Sequence, residues 1–349
     1  MKCVHLQGFR SLLQLVEKPT PVPTGTEVLL KVLGAGVCHS DAHIWEGQYD
    51  LGGGRTMSMA ERIKFPLVMG HETSGEVVGL GPQAQGVSLG SRYAVCSWIG
   101  CGDCRFCKIG DEHLCVAPRF LGVNRDGGYA DHILVPDGRY LIDIGDLDPV
   151  AAAPLVCSGL TTYSALKKAG PVLQQDRIVV IGAGGLGLMA LNLLRILGVP
   201  GAVVVEPNAE KRQAALEAGA LAAIDPGATD AAQQVRNALG NPVSFVLDLV
   251  GSAESASLGY ELLDRVGKMV VVGLFGGAME LSVPLLPMRA VTLQGSYIGS
   301  PAELRELIEL VRKSGGLAVR VDRRPLAEAD QALQDLRAGR VVGRVVLVP

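Results

Sequence analysis

The chain has 349 residues, enough for two domains. Its net charge of −3, its 19% charged residues and the lack of any basic run argue against a nucleic-acid or polyanion partner. The high glycine content, 45 residues, points to tight turns and close backbone approach. The stretch from Met1 to Leu15 has neither a long apolar core nor a small-residue cleavage site and reads as no signal peptide. Ile178 to Leu194 carries no charge, yet Arg195 ends it and early glycines mark a turn, so it reads as no membrane span. A cytoplasmic enzyme without a membrane partner is the expectation.

Short β-type runs come first, at residues 28–32, 75–80, 93–96, 132–135 and 140–144, broken by Gly, Pro and Asp. They predict an irregular, mostly β domain. Between Gly47 and Lys64, a long segment with Gly52, Gly53, Gly54, Met57 and Met59 reads as a mobile lid with adaptable apolar surface. Asp148-Pro149 reads as the cap and first turn of an Ala-rich helical stretch that Pro154 interrupts. From Arg177 strands alternate with helices. Strands are predicted at 178–181, 202–206, 222–224, 245–249 and 269–272, and helices at 186–197, 209–218, 230–239 and 253–263. That rhythm predicts α/β architecture with a parallel, doubly wound sheet. Two amphipathic helices, one capped at Ser300-Pro301 and one begun at Pro325, and a strand at 341–348 complete the chain.

Four of the eight cysteines cluster as Cys101-x2-Cys104-x2-Cys107-x7-Cys115. Such short spacings wrap a loop around one point and suit tetrahedral thiolate coordination of a structural zinc ion. A disulfide lobe is the weaker reading, because cytosolic thiols are kept reduced. An iron–sulfur cluster shares the first three spacings, but the fourth cysteine comes late and Val116, not proline, follows it. Cys3 and Cys96 read as ordinary buried thiols.

The run Val179-Val180-Ile181 leads into Gly182-Ala183-Gly184-Gly185-Leu186-Gly187, and Glu206 ends the next predicted strand. A glycine loop between a strand and a helix, answered by such a carboxylate, is the context of a dinucleotide site. Gly182 makes the turn, Gly184 admits the pyrophosphate and Gly187 permits close helix packing. Glu206 accepts hydrogen bonds from the adenosine ribose and repels the extra phosphate of NADP, so NAD is the expected cofactor.

A second, open metal site draws its candidates from Cys38, in Val37-Cys38-His39-Ser40-Asp41-Ala42-His43, from Gly70-His71-Glu72 and from Cys157. Two thiolates, one imidazole and an exchangeable fourth position form a recognised catalytic zinc set. Spacing alone does not select these residues.

The order Gly-x-Cys-His-Ser-Asp, Gly-His-Glu, the four-cysteine cluster and the glycine loop resembles the zinc-dependent medium-chain alcohol dehydrogenase family, nearly end to end. Residues 119–124 (Arg119-Phe120-Leu121-Gly122-Val123-Asn124) and 154–163 (Pro154 to Tyr163) resemble its tetrameric NAD-dependent archaeal and bacterial branch. The resemblance implies a GroES-like catalytic domain, at 1–152 and 297–349, and a Rossmann NAD-binding domain at 153–296. It implies two zinc ions, NAD and a homotetramer whose cofactor domains pair edge strands near 291–298. One departure stands out: some members replace one structural-site thiol with a carboxylate, whereas this chain supplies four thiols.

The resemblance further implies Cys38, His71 and Cys157 as catalytic zinc ligands, with Glu72 able to replace water on the metal. Ser40 would touch the substrate oxygen, the nicotinamide ribose would pass its proton on, and His43 would hand it to solvent. Asp41 would orient His71. His39 and Arg344 would lie near the pyrophosphate, Lys211 would reach the adenosine ribose, and Thr161 would pack on the nicotinamide, with Gly185 and Leu186 in the same loop. Trp45, Trp98 and Phe120, close in sequence to these ligands, are candidate pocket walls for a bulky hydrophobic alcohol, aldehyde or ketone. A polyol or cyclic-alcohol dehydrogenase of the same family is one alternative. A zinc-free quinone or enone reductase is another, as is a non-catalytic protein that kept the fold.

Overall fold

The computed structural model describes residues 1–240 and 242–349. Its centre is a seven-stranded sheet ordered Leu141–Asp143, Arg92–Val95, Glu72–Leu80, Val28–Val37, Arg344–Val348 and Val321–Pro325, with His132–Val135 also pairing to Val28–Val37. The last two strands therefore close a sheet begun by the first hundred residues. A second sheet is wholly parallel, ordered Ala222–Ile224, Ala202–Val205, Ile178–Ile181, Phe245–Asp248, Lys268–Val271 and Thr292–Gly295. Its first strand in sequence lies inside, with successors on both sides, so the order reverses at Ile178–Ile181. Ligands bind beside the carboxyl ends of strands at such a reversal. The four central strands are apolar and almost completely buried, because helices cover both faces.

Several elements differ from their sequence expectation. The strand expected at 28–32 runs on to Val37, through Gly34 and Gly36. Those glycines are not breakers here: a Cβ on Gly36 would lie 2.1 Å from a carboxylate oxygen of Glu72 on the neighbouring strand. That strand in turn begins at Glu72 rather than 75. Residues 138–140 form a 3-10 turn, and the strand there covers only Leu141–Asp143. Pro325 ends a strand instead of opening a helix; a 3-10 turn at Leu326–Glu328 precedes the helix Ala329–Arg337. Two N-terminal strands, Lys2–Leu6 and Leu13–Glu17, went unread. The uncharged stretch from Ile178 divides into a strand and the helix Gly185–Ile196. Among the described residues no single helix is long and apolar enough to cross a membrane.

The segment expected to be a lid contains a hairpin, Gln48–Asp50 against Thr56–Ser58. Its turn reaches the cofactor side: a Cβ on Gly52 would lie 2.6 Å from the backbone nitrogen of Ala278. The hairpin thereby roofs the cleft between the two sheets.

Candidate active site

Cys38 ends the long central strand and caps the helix His39–Glu46. Asp41, three residues in, turns back to accept from the Cys38 backbone N–H at 2.9 Å, which ties the strand end to the helix start. The other carboxylate oxygen of Asp41 lies 3.2 Å from His71 Nδ1, and Tyr129 donates its hydroxyl to Asp41 at 2.9 Å. Asp41 therefore closes the turn and sets a carboxylate beside the imidazole. Tyr129 was missed by sequence reasoning. Its signal is indirect: Gly70 has φ of +91°, and a Cβ there would sit 2.3 Å from the Tyr129 ring.

Cys38, His71, Glu72 and Cys157 are all buried, and their ligand atoms lie within 4.8 Å of one another. The Cys38 and Cys157 sulfurs are 4.0 Å apart, close to the roughly 3.8 Å edge of a tetrahedral zinc–thiolate site. His71 Nε2 is buried without a hydrogen-bond partner. An orphaned imidazole nitrogen facing two thiols fits a zinc ion. Hydrogen bonding from Cys157 draws the Cys38 thiol well below its ordinary value, and the same bond pushes Cys157 up. Burial would lower His71, but the Asp41 carboxylate overrides it and holds His71 well above its ordinary value. That partnership makes the imidazole a stronger ligand.

Glu72 accepts from Ser158 N–H at 3.1 Å and from the Arg344 guanidinium. Burial pushes its carboxyl up to about 7, with Arg344 opposing. Arg344 is itself only 3% exposed and also borders the glycine loop, since a Cβ on Gly185 would meet its guanidinium at 2.7 Å. The cation expected near the pyrophosphate thus joins that loop to the carboxylate beside the thiols.

The glycine loop runs from the strand Ile178–Ile181 to the helix Gly185–Ile196. Gly182 has φ of +98°, and a Cβ on Gly187 would lie 2.0 Å from the Gly182 carbonyl oxygen, so the constraint on Gly187 is loop closure as much as helix packing. Nothing stands within 4 Å of where a Gly184 Cβ would be, leaving that side free for a ligand. The Glu206 carboxylate accepts from Ala183 N–H at 2.8 Å and from Asn208 N–H at 2.9 Å. It braces the loop, a role the sequence did not suggest. Asn208 caps the helix that carries Lys211 by accepting from the Lys211 backbone N–H at 3.0 Å, and the Lys211 charge, like that of Arg344, acts on His39. His39 is lowered mainly by burial and packs 5.2 Å from the Phe275 ring.

A cavity of about 130 Å3 opens over the two thiols. Ser40, His43 and Trp98 line it from one domain, and Thr161, Leu186 and Val272 from the other side. His43 stacks at 4.8 Å on Tyr49, and burial lowers its pKa. Trp98 donates to the Val156 carbonyl and packs edge-on against Phe120 at 5.2 Å. Phe120 lines an adjoining vestibule of about 480 Å3 nearer the hairpin. Trp45 is a correction. It lies outside both cavities, with its indole donating to Ser11 and the Arg337 guanidinium 4.0 Å over the ring. Two residues along a helix is a rotation of about 200°, so His43 and Trp45 face opposite ways.

The second cysteine set also converges. Sulfur separations are 3.5 Å for Cys104–Cys107, 3.8 Å for Cys104–Cys115 and 4.0 Å for Cys101–Cys107. Backbone N–H groups of Cys101 and Ala117 point at Cys115 Sγ, and those of Asp103 and Cys104 at Cys101 Sγ. Such donors stabilise thiolates, and four of them with no open position fit a closed zinc site.

Two family models match the chain: an alcohol dehydrogenase GroES-like domain over residues 24–146 and a zinc-binding dehydrogenase over 185–313. An NAD-dependent alcohol dehydrogenase of Sulfurisphaera tokodaii is 35% identical, with 100% of each chain covered. A D-arabinose 1-dehydrogenase (NADP(+)) of Saccharolobus solfataricus is 30% identical over 100% of this chain and 97% of its own. The crystal structure of an alcohol dehydrogenase from Aeropyrum pernix superposes with a TM-score of 0.88 at 30% identity, covering 100% of both chains. The chain belongs to the zinc-dependent medium-chain alcohol dehydrogenase family. It is an oxidoreductase acting on alcohols.

Proposed function

We propose that this enzyme interconverts hydrophobic primary or secondary alcohols with their aldehydes or ketones, using NAD and a zinc ion held by Cys38, His71 and Cys157. One observation carries the reading: the cavity over the thiols is walled on its other side by the domain that bears the glycine loop. When bound, zinc lowers the pKa of an alcohol and NAD accepts its hydride. Two thiolates offset the charge of the ion, and Asp41 holds the His71 ring in place. Ser40 and His43, one turn apart on one helix face, take the alcohol proton and deliver it to solvent. Ile44, Trp98 and Ile298 surround the reacting end with apolar surface. A zinc-free reductase would have no use for the buried Cys–His–Cys set. Spectrophotometric measurement of NADH formation over primary, secondary, cyclic and aromatic alcohols tests the reading; no turnover on any of them would refute it.

NAD is preferred over NADP in this reading, because Glu206 places a carboxylate beside the loop. Arg212, the nearby cation, is 3.0 Å from Asp225 and donates to the Glu206 and Pro207 carbonyls, so it is already engaged. The unmodified enzyme should show clearly higher kcat/KM with NAD. Glu206→Gln should narrow that preference, by a few kcal/mol at most. Higher efficiency with NADP in the unmodified enzyme would overturn this assignment.

The working domain division is 1–152 with 297–349 against 153–296, supported by the return of Arg344–Val348 to the first sheet. A homotetramer in the cytoplasm is the proposed state. Its support is Thr292–Gly295, which forms an edge of the parallel sheet beside exposed Val283 and Met288. An open strand edge flanked by exposed apolar side chains invites pairing with a second copy. Sedimentation at micromolar concentration should give four chains, and a monomer alone would remove the idea.

A further inference from the structure

The outer vestibule differs chemically from the cavity at the thiols. Met57, Met59, Phe120 and Leu274 give it apolar flanks, while Arg62 and two tyrosines stand at its walls. Arg62 has no ion pair or side-chain hydrogen bond among the described residues. Its backbone is held in place, because Asn124 donates to the Arg62 carbonyl at 3.2 Å. The Asn124 amide oxygen is buried and lacks a partner. Tyr49 and Tyr297 line both cavities, and among the described residues neither hydroxyl has a hydrogen-bond partner. Desolvation raises both phenols, although Tyr297 is 49% exposed, and the Arg62 charge opposes the shift at each. Two acids share the vestibule, yet neither acts on these tyrosines. Asp50 is spent on the hairpin turn, accepting from Gly52 N–H at 2.8 Å, and Glu61 and Arg62 are both exposed at the vestibule rim.

An exposed guanidinium and two phenols lining one vestibule, beyond an apolar spacer, form an arrangement that can hold a carboxylate. Guanidinium binds carboxylate through two parallel N–H bonds, and phenol hydroxyls can add a third donor. We propose that the substrates are hydroxy acids whose CH–OH group lies several carbons from a terminal carboxylate, with Arg62, Tyr49 and Tyr297 holding that carboxylate in the vestibule. The apolar middle of the substrate spans the inner cavity, and the reacting carbon reaches the thiols. This inference rests on the dehydrogenase reading and sharpens its substrate class.

The test compares kcat/KM for NADH formation from ω-hydroxyalkanoates with that from 1-alkanols of matched length, short to long. For short chains the acid should be the poorer substrate, because its charge would lie in the apolar cavity. For long chains the acid should win by about tenfold, and the gain should shrink with added salt. An ω-hydroxy amide of the same length should behave like the alkanol, since it offers hydrogen bonding without charge. Arg62→Ala should bring the long-chain ratio near one, and Arg62→Glu should favour the alkanol. Each ratio is taken within one variant, so differences in the amount of active enzyme cancel. The proposal is overturned if the unmodified enzyme shows no length-dependent advantage for acids, if the amide matches the acid, or if the advantage survives in both Arg62 variants. Absence of turnover on every alcohol, neutral or acidic, refutes the dehydrogenase reading itself and is told apart by the silent 1-alkanols.

Discussion

Cys157→Ala is expected to remove one of two zinc ions per chain and to lower alcohol oxidation by roughly three orders of magnitude or more. Several kcal/mol of charge stabilisation at the substrate oxygen depend on a metal held in place, and each 1.4 kcal/mol or so is tenfold in rate. Circular dichroism should remain that of the folded protein, because Cys157 contributes little packing beyond one sulfur. The neighbouring backbone is pinned independently, by Trp98 donating to Val156 and by Ser158 N–H donating to Glu72. Cys104→Ala should behave in the opposite way. It also loses one zinc, but its main effect should be a lower Tm, because a closed four-thiol site contributes folding free energy rather than chemistry. Elemental analysis alongside activity and thermal melts separates the two. One zinc per chain in fully active protein would refute the assignment of two sites.

Ser40→Ala and His43→Gln should both slow alcohol oxidation, and they should differ in how they can be rescued. Proton transfer by a positioned group is typically worth about 100- to 10,000-fold, and a relay end that water can replace belongs near the low end. Burial lowers the pKa of His43, so its ring is neutral and able to take a proton at neutral pH. In the unmodified enzyme the oxidation rate should fall as pH drops through that lowered pKa. His43→Gln should show its largest loss at pH 6 to 7, shrinking as pH rises or when small bases are added. Ser40→Ala should be worse and resist rescue, because buffer cannot reach the cavity floor. Stability follows the same sign. The unfolded chain takes up a proton at His43 more readily than the folded one, so this contribution is present above the ordinary histidine value of about 6.5. It is lost as pH falls toward the lowered value. An unmodified pH–rate profile in His43→Gln would make His43 a bystander.

The parts of the site that were legible are those whose partners lie close in sequence. The Cys101 to Cys115 loop and the turn from Gly182 to Gly187 are local geometries, and their spacing alone restricts what they can hold. The alternation of apolar strands and helices after Arg177 likewise announced a parallel sheet. The relation of Cys38 to His71 and Cys157 came only through family resemblance, since nothing local links a strand end, a second strand and a helix start. Trp45 shows the opposite failure: nearness in sequence to Cys38 suggested a pocket wall, yet helical rotation turns its ring onto Arg337.

The sequence by itself marked the four-cysteine cluster, the dinucleotide loop and the alternation of strands and helices after Arg177, because each depends on residue type and short-range spacing. Tertiary structure decided which side chains share a space. It set Arg344 between Glu72 and the glycine loop, Tyr129 on Asp41, Glu206 against Ala183, and Arg62 on the same vestibule as Tyr49 and Tyr297. These contacts join residues that the chain separates widely, and they exist only because burial on two sheets brings their backbones together. Gly36 marks the boundary between the two kinds of information. Its identity is plain in the sequence, but the reason for it, a carboxylate oxygen 2.1 Å from where a Cβ would stand, belongs to the neighbouring strand.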